Sequence, residues 1–76
     1  MSELEIINEI FETRLRAEDM NLTIKEAVDW DSFNIMNFMT EIFDRYQITL
    51  DIIQISSIKY VKDLAALVKT CMQQNA

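Results

Sequence analysis

Apolar residues recur every three or four positions along most of the chain, and this spacing restricts the fold more than any other feature of the sequence. A period near 3.6 places side chains on one face of an α-helix, whereas a half-buried strand alternates every second residue. The chain contains neither Gly nor Pro, so the usual turn residues do not mark where helices end. The periodicity alone therefore predicts an all-α fold.

Four helices follow from this spacing. The first covers residues 3–16, with Ser2 as N-cap and Glu5 three residues later, as in a capping box. Residues 17–30 lack a sustained period and are predicted to form a long loop. The remaining elements are a second helix at 32–46, capped by Asp31 or Ser32, a connector at 47–51, a short third helix near 52–58 and a last helix at 61–73. The prediction is a small four-helix bundle in one domain, residues 1–76.

The apolar faces of these helices predict the core. Large apolar side chains lie at the centre of each face: Ile7, Ile10, Phe11, Phe38, Ile42, Val61, Leu64 and Val68. The predicted loop contains four further apolar residues that would fasten it to this core: Leu22, Ile24, Val28 and Trp30. A chain of 76 residues buries only a thin core, so we expect modest stability.

The scarcity of His and Cys excludes several kinds of chemistry. The chain has no His, which is the commonest general base and metal ligand. It has a single Cys, Cys71, so neither an internal disulfide nor a zinc site of the Cys and His type is expected. A Ser or Cys nucleophile would lack its usual His partner. The sequence therefore predicts a protein that is not an enzyme.

The net charge of −6 is unevenly distributed and disfavours several partners. Residues 1–31 contain nine acidic and three basic residues, whereas residues 32–76 contain four of each. An acidic surface repels nucleic acid and anionic membranes. No apolar run approaches the roughly 20 residues of a membrane span, and the N-terminus lacks the pattern of a secretory signal. We expect a cytoplasmic monomer with no nucleic-acid partner and no membrane span.

Three segments in a fixed order resemble a known family. Asp31-Ser32-Phe33 opens the second helix, and Tyr60–Val68 opens the last one with the letters YVKDLAALV. Between them, Phe38–Tyr46 ends in an aromatic residue before a short apolar connector. From residue 31 to residue 68 this order resembles the acyl carrier protein family, in which an Asp-Ser-Leu motif begins helix two and a Thr-Val-x-Asp-Leu-like segment opens the last helix.

The resemblance implies a carrier of cargo. The serine of the family motif holds 4′-phosphopantetheine, which here implies attachment to Ser32, with Asp31 as the motif acid. The thiol of this arm would hold an acyl group as a thioester, for fatty acid, polyketide or related biosynthesis. The implied partners are a phosphopantetheinyl transferase and a ligase or synthase that loads acyl or aminoacyl groups. The chain length is typical of a free-standing carrier.

The second helix also implies where partners and cargo would lie. Phe33 replaces the family's usual Leu, and fewer acidic residues than usual follow it. The predicted partner contacts are Phe33, Met36, Asn37, Thr40, Glu41 and Asp44. The positions that line the family's cargo pocket correspond to Ile35, Met39, Ile42, Leu50, Ile55, Ile58 and Leu64. Ile55 and Leu64 stand where small residues are frequent, so we expect little free volume for cargo.

Two alternatives remain open from the sequence. A Ser-Phe pair resembles D-alanyl carrier proteins, so the cargo of a D-alanyl or peptidyl carrier is one alternative. The other is a helical protein-interaction module in which Ser32 is only a helix cap and is never modified. An apolar helix face is also first of all core, so the predicted pocket residues have a simple structural explanation.

Overall fold

A computed structural model describes residues 1–74 of the protein, and every regular element in that range is helical. Five α-helices, named α1 to α5, occupy Glu3–Phe11, Ile24–Ala27, Ser32–Tyr46, Ile52–Ser56 and Val61–Gln74. A 3-10 helix at Ala17–Asp19 lies between α1 and α2. The all-α prediction is confirmed. Within these residues no helix is long and apolar enough to cross a membrane.

The three longer helices, α1, α3 and α5, each contact the other two, and α2 packs on α5. Seven of the eight predicted core residues are buried: Ile7, Ile10, Phe38, Ile42, Val61, Leu64 and Val68. The eighth, Phe11, is partly buried and packs against the core cluster. Burial of these large apolar side chains is the main source of stability in a chain of this size.

Helix α1 ends at Phe11, five residues before the predicted end. Glu12 adopts the left-handed conformation with φ of 58°, and its N–H donates to the Asn8 carbonyl. The Asn8 side chain then fixes the chain reversal, because its Oδ1 accepts hydrogen bonds from Thr13 Oγ1 and from Leu15 N, each at 2.8 Å. The prediction of a helix through residue 16 was wrong because this local reversal leaves Leu15 against the core without helical backbone.

The segment predicted as a loop contains the 3-10 helix and α2. Thr23 and Glu26 form a capping box, in which Glu26 N donates to Thr23 Oγ1 at 3.3 Å and Thr23 N donates to Glu26 Oε1 at 3.1 Å. A helix of four residues is too short to produce a recognisable period, so a prediction based on periodicity missed it. Two of the four expected fastening residues, Ile24 and Val28, are buried, and Leu22 and Trp30 are partly buried.

The other boundaries agree closely with the sequence. Helix α3 has the predicted bounds, and α5 begins at the predicted Val61. The short helix α4 ends at Ser56, two residues before the predicted end. The capping box of Ser2 and Glu5 is present, with Glu5 N donating to Ser2 Oγ at 3.2 Å. Long helices with apolar faces were therefore predicted well, and short ones less well.

Candidate functional site

Ser32 is the first residue of α3 and is exposed to solvent. The N-cap is Asp31, whose Oδ1 accepts a hydrogen bond from the Asn34 N–H at 2.8 Å and whose Oδ2 accepts one from Asn34 Nδ2 at 3.2 Å. Of the two residues that the sequence offered as cap, the structure therefore selects Asp31. Among the hydrogen bonds formed within residues 1–74, none uses the Ser32 hydroxyl, which leaves it free to react.

The other three serines differ from Ser32 in this respect. Each of their hydroxyl groups is engaged with the backbone of its own helix: Ser2 Oγ accepts from Glu5 N, Ser56 Oγ donates to the Ile52 carbonyl, and Ser57 Oγ donates to the Gln54 carbonyl. Ser32 is thus the one serine that combines exposure, an unengaged hydroxyl and a position at the start of a long helix.

The electrostatics at the start of α3 favour a bound phosphate group. A helix of 15 residues has a positive N-terminal end equivalent to about half a charge, and its first N–H groups lack partners within the helix. The N-cap carboxylate of Asp31 already lies at this end, and no further acidic residue lies in the first turn of α3. A phosphodiester on Ser32 would therefore lie where backbone dipoles and N–H groups stabilise an anion.

The predicted partner contacts form an exposed surface along α3, with one exception. Phe33 is 79% exposed and Met36 is 66% exposed, and because they are three residues apart on α3 their apolar side chains lie on the same side of the helix. Asn37, Thr40 and Asp44 are also exposed. The exception is Glu41, which is partly buried and accepts a hydrogen bond from Arg45 Nη2 at 3.3 Å.

The residues predicted to line a cargo pocket lie in or against the core. Five of them are buried side chains of the core cluster: Ile42, Leu50, Ile55, Ile58 and Leu64. Ile35 and Met39 are partly buried and pack against that cluster. Met39 and Leu50 also line an open surface groove of about 230 Å³ beside α3. These positions account for the packing of the protein, and their contact with cargo stays a prediction.

A groove rich in carboxylates lies on one side of Ser32, between α1 and α3. Its volume is about 410 Å³, and we call it the acidic groove, lined by Glu9, Ile10, Phe11, Glu12, Asp29, Phe33, Asn34, Asn37 and Glu41. Arg45 Nη2 lies 3.5 Å from Glu9 Oε1 and 3.3 Å from Glu41 Oε1, so one guanidinium group connects α1 to α3. Glu12 and Asp29 form no ion pair among residues 1–74 and supply the remaining negative charge.

A second groove lies on the other side of the segment that precedes α3. Its volume is about 480 Å³, and we call it the basic groove, lined by Thr23, Ile24, Lys25, Trp30, Ser56, Ile58, Lys59 and Tyr60. Backbone pairing fixes its base, because Ile24 N donates to the Lys59 carbonyl at 2.8 Å and Thr23 forms an antiparallel bridge with Tyr60.

An aromatic row separates the two grooves. The Phe11 ring lies 5.8 Å from the Phe38 ring and 6.0 Å from the Trp30 ring, measured between centroids. Phe11 lines the acidic groove, Trp30 lines the basic groove, and Phe38 is fully buried between the helices. The grooves therefore share a wall that is anchored in the core.

Three titratable groups have a shifted pKa. Burial raises the pKa of the Cys71 thiol, so this residue stays protonated in the core. Hydrogen bonds from the Thr23 hydroxyl and backbone lower the pKa of Glu26, and the same arrangement with Ser2, led by its backbone N–H, lowers that of Glu5. Within the described residues no cluster of three or more His, Cys, Asp or Glu side chains has the arrangement of a metal site.

Sequence reasoning located Ser32 and the surface of α3 but missed both grooves. The acidic groove joins residues of α1, α3 and the segment before α3, and the basic groove depends on pairing between residues 22–24 and 59–61. Contacts between distant segments have no periodic signal in the sequence. The four acidic residues of the predicted first helix and the neighbouring lysines Lys59 and Lys62 were nevertheless visible there. Compared with family models, curated proteins and solved structures, the chain gives no match.

Proposed function

We propose that the protein is a phosphopantetheine-dependent carrier that holds acyl cargo as a thioester on an arm attached to Ser32. The observation that supports this most directly is the state of the Ser32 hydroxyl, which is exposed and unengaged at the N-terminus of a 15-residue helix. The same proposal includes a four-helix carrier architecture of α1, α3, α4 and α5, with α2 within the segment between the first two, a cytoplasmic location and no enzymatic activity in the chain itself.

Asp31 caps the helix and Ser32 does not, and this difference favours modification of Ser32. Asp31 satisfies the Asn34 N–H, so attaching a group to Ser32 Oγ removes no hydrogen bond from the helix cap. The added phosphodiester would gain from the remaining free N–H groups of the first turn. Modification therefore needs no local unfolding, and a transferase can approach a residue that is already in place.

The transferase and a loading ligase or synthase are the proposed partners. Any enzyme that acts on Ser32 must touch the start of α3, and Phe33 and Met36 offer exposed apolar area there. Aromatic side chains are over-represented among the few residues that dominate binding energy at interfaces. The partner contacts that we propose are therefore Phe33 and Met36, with Asn37, Thr40 and Asp44 around them.

Intact mass measures the modification directly. The chain is incubated with coenzyme A and a broad-specificity phosphopantetheinyl transferase, and we expect one added phosphopantetheinyl group on the wild type and none on Ser32→Ala. The matched control is Ser57→Ala, which removes another exposed serine and should still accept one group. Ser32→Ala should stay folded within about 0.5 kcal/mol, because Asp31 provides the cap.

An added group on Ser32→Ala, or an unmodified wild type, would contradict the proposal. An unmodified wild type would instead favour the interaction module, for which the exposed Phe33 and Met36 are the supporting observation. In that case the chain should bind a partner through α3 without any arm, and Phe33→Ala should abolish that binding while Ser32→Ala leaves it unchanged.

A further inference from the structure

The basic groove has a charge opposite to that of the whole chain. The chain has a net charge of −6, yet the groove lining includes Lys25 and Lys59 and no carboxylate. Neither lysine forms an ion pair within residues 1–74. Two carboxylates lie beside the lining and keep their charge: Glu26 accepts hydrogen bonds from the Thr23 backbone and hydroxyl, and Asp63 accepts them from the backbone N–H groups of Lys59 and Tyr60. Because no carboxylate of residues 1–74 is within ion-pair distance of Lys25 or Lys59, an anion that enters the groove meets two unpaired ammonium groups.

The rest of the lining suits a short alkyl chain. Ile24 and Ile58 are buried side chains, and Trp30 and Tyr60 expose part of their rings. Lys62 Nζ lies 5.5 Å from the centroid of the Tyr60 ring, which brings a third cation close to the groove. Apolar surfaces with a few charged groups are typical of pockets that bind small molecules and fix their orientation.

The groove lies within reach of an arm on Ser32. Trp30 is two residues before Ser32, so their Cα atoms are at most about 7.6 Å apart. Asp29 and Phe33 line the acidic groove, whereas Trp30 lines the basic one, so the arm starts between the two. An arm that folds back along Trp30 would bring its thioester end to the lysines.

The core offers cargo less room than this groove does. Ile42, Ile55 and Leu64, three of the residues predicted to line a cargo pocket, are fully buried side chains of the core. Placing an acyl chain among them would require large side chains to move, which closely packed interiors resist. The basic groove is already open and needs no such rearrangement.

We infer that the basic groove binds the cargo of this carrier and that the cargo ends in a carboxylate, as in the monothioester of a short dicarboxylic acid. The methylene groups would pack against Trp30 and Ile58, and the free carboxylate would lie between Lys25 and Lys59. This inference rests on the proposed function, since it assumes an arm on Ser32. It assigns the groove a chemical class of ligand that the sequence alone left open.

Trp30 is the only Trp of the chain, so its fluorescence reports on the groove. The transferase is supplied with succinyl- or butyryl-coenzyme A, which load four-carbon cargoes that differ in their terminal carboxylate. We expect the succinyl form to change the Trp30 emission relative to the unloaded arm and the butyryl form to change it much less. Equal changes for both cargoes would overturn the inference, because they would assign the effect to the arm or its phosphodiester.

Variants that remove the charges of Lys25 and Lys59 test whether these residues cause the difference in Trp30 emission. Lys25→Gln combined with Lys59→Gln should remove the difference between succinyl and butyryl cargo. The matched control is Lys69→Gln, because Lys69 is also exposed but lies on α5 outside the groove lining. A difference that survives in the double variant would overturn the assignment of the carboxylate to these lysines, as would a larger response to an aminoacyl cargo than to succinyl.

A titration of the unmodified chain separates this inference from the proposed function. Free succinyl-pantetheine should bind about fivefold more tightly than butyryl-pantetheine, an effect of the size of an exposed ion pair, and added salt should remove the preference. If Ser32 accepts no arm but this preference is present, the carrier proposal fails and the carboxylate site stands. If Ser32 accepts the arm and the preference is absent, the carrier proposal stands and the site fails.

Discussion

The acidic groove and the basic groove have similar volumes and opposite charges, about 410 Å³ and 480 Å³ respectively. Both include residues close to Ser32 in the chain, since Asp29 and Phe33 line the acidic groove and Trp30 lines the basic one. In the acidic groove two of the four carboxylates are held by Arg45, whereas in the basic groove both lysines are free of ion pairs within the described residues. The acidic side is thus partly neutralised by an ion pair with Arg45, whereas the two lysines of the basic side have no such partner, although Glu26 and Asp63 lie beside that groove.

The difference also shows which parts of the chain set the surroundings of Ser32. Helix α1 and its C-cap supply Glu9 and Glu12 to the acidic side, and α2 with the segment before α5 supplies the lysines to the basic side. The aromatic row of Trp30, Phe11 and Phe38 holds these segments apart. The contact between the Trp30 and Phe11 rings joins the linings of the two grooves.

Substitution of Phe38, the buried ring of the aromatic row between the grooves, should have the largest effect on stability. Phe38→Ala deletes a fully buried ring, and core truncations of this kind cost about 3–5 kcal/mol. This is a large fraction of the stability of a small domain, so we expect the thermal midpoint to fall steeply or the cooperative transition to disappear. Chemical denaturation followed by Trp30 fluorescence measures both the loss of stability and the state of the wall.

Phe33→Ala is the matched control for Phe38→Ala, because it makes the same change at a ring that is 79% exposed. It should alter the free energy of unfolding by less than about 0.5 kcal/mol. Similar losses for the two variants would show that the wall is not anchored by Phe38, and that the two grooves are not kept apart in this way.

The contrast between Phe38 and Phe33 also shows what the sequence could and could not predict. Both lie in one helix whose bounds the period gave correctly, and the period separated the buried ring from the exposed one. Asp31, Ser32 and Phe33 were likewise singled out by the order of motifs. Long amphipathic helices are predictable because each apolar residue on the face repeats the same information.

Elements that depend on one or two local interactions were not predictable by that route. The end of α1 depends on the side chain of Asn8 and on the left-handed Glu12, and α2 depends on a single capping box. The grooves depend on contacts between segments distant in the sequence, such as the bridge between Thr23 and Tyr60. A chain without Gly or Pro offers no composition signal at any of these points.

The second largest effect is expected on the binding of partner enzymes, from Phe33, the exposed ring that lines the acidic groove. If partner enzymes dock beside Ser32, Phe33→Ala should weaken binding to the transferase about tenfold, as expected for loss of an aromatic anchor. The affinity of the unmodified chain for the transferase can be measured by calorimetry or surface plasmon resonance. Phe43→Ala is the control, because Phe43 is exposed on the same helix but outside the acidic groove.

The salt dependence of transferase binding distinguishes a contribution of the Phe33 ring from a contribution of the carboxylates around it. We expect added salt to slow association of the transferase and to change the affinity little, since long-range attraction acts mainly on the on-rate. A steep loss of affinity with salt, together with a Phe33→Ala variant that binds normally, would show that docking depends on the carboxylates of the acidic groove.

A smaller effect is expected from the length of the cargo, and it compares the basic groove with the core. If cargo entered the core, each buried CH₂ would add about 0.8 kcal/mol of stability. Because Ile42, Ile55 and Leu64 already fill that space, we expect the thermal midpoint to change little as a saturated acyl chain lengthens. A series of saturated acyl groups on Ser32 tests this, and continued stabilisation by eight or more carbons would place cargo in the core.

The smallest effect on stability is expected from two residues with left-handed backbone, one of which lines the acidic groove. Within residues 1–74 two residues have positive φ, Glu12 at 58° and Gln47 at 59°, and each ends a helix. The left-handed conformation costs a residue other than Gly about 1–2 kcal/mol, and the greater freedom of Gly in the unfolded chain offsets about 0.5–1 kcal/mol of that. Glu12→Gly and Gln47→Gly should therefore each raise the free energy of unfolding by several tenths of a kcal/mol, measured by thermal denaturation.

The two glycine variants differ in what they remove from the surface. Glu12 lines the acidic groove and forms no ion pair within residues 1–74, whereas Gln47 lines neither groove and its Nε2 donates to the Phe43 carbonyl at 3.2 Å. Glu12→Gly should therefore slow association of a basic transferase at low salt, and Gln47→Gly should leave that rate unchanged. Equal rates for both variants, with equal gains in stability, would show that the charge of the acidic groove has no part in partner approach.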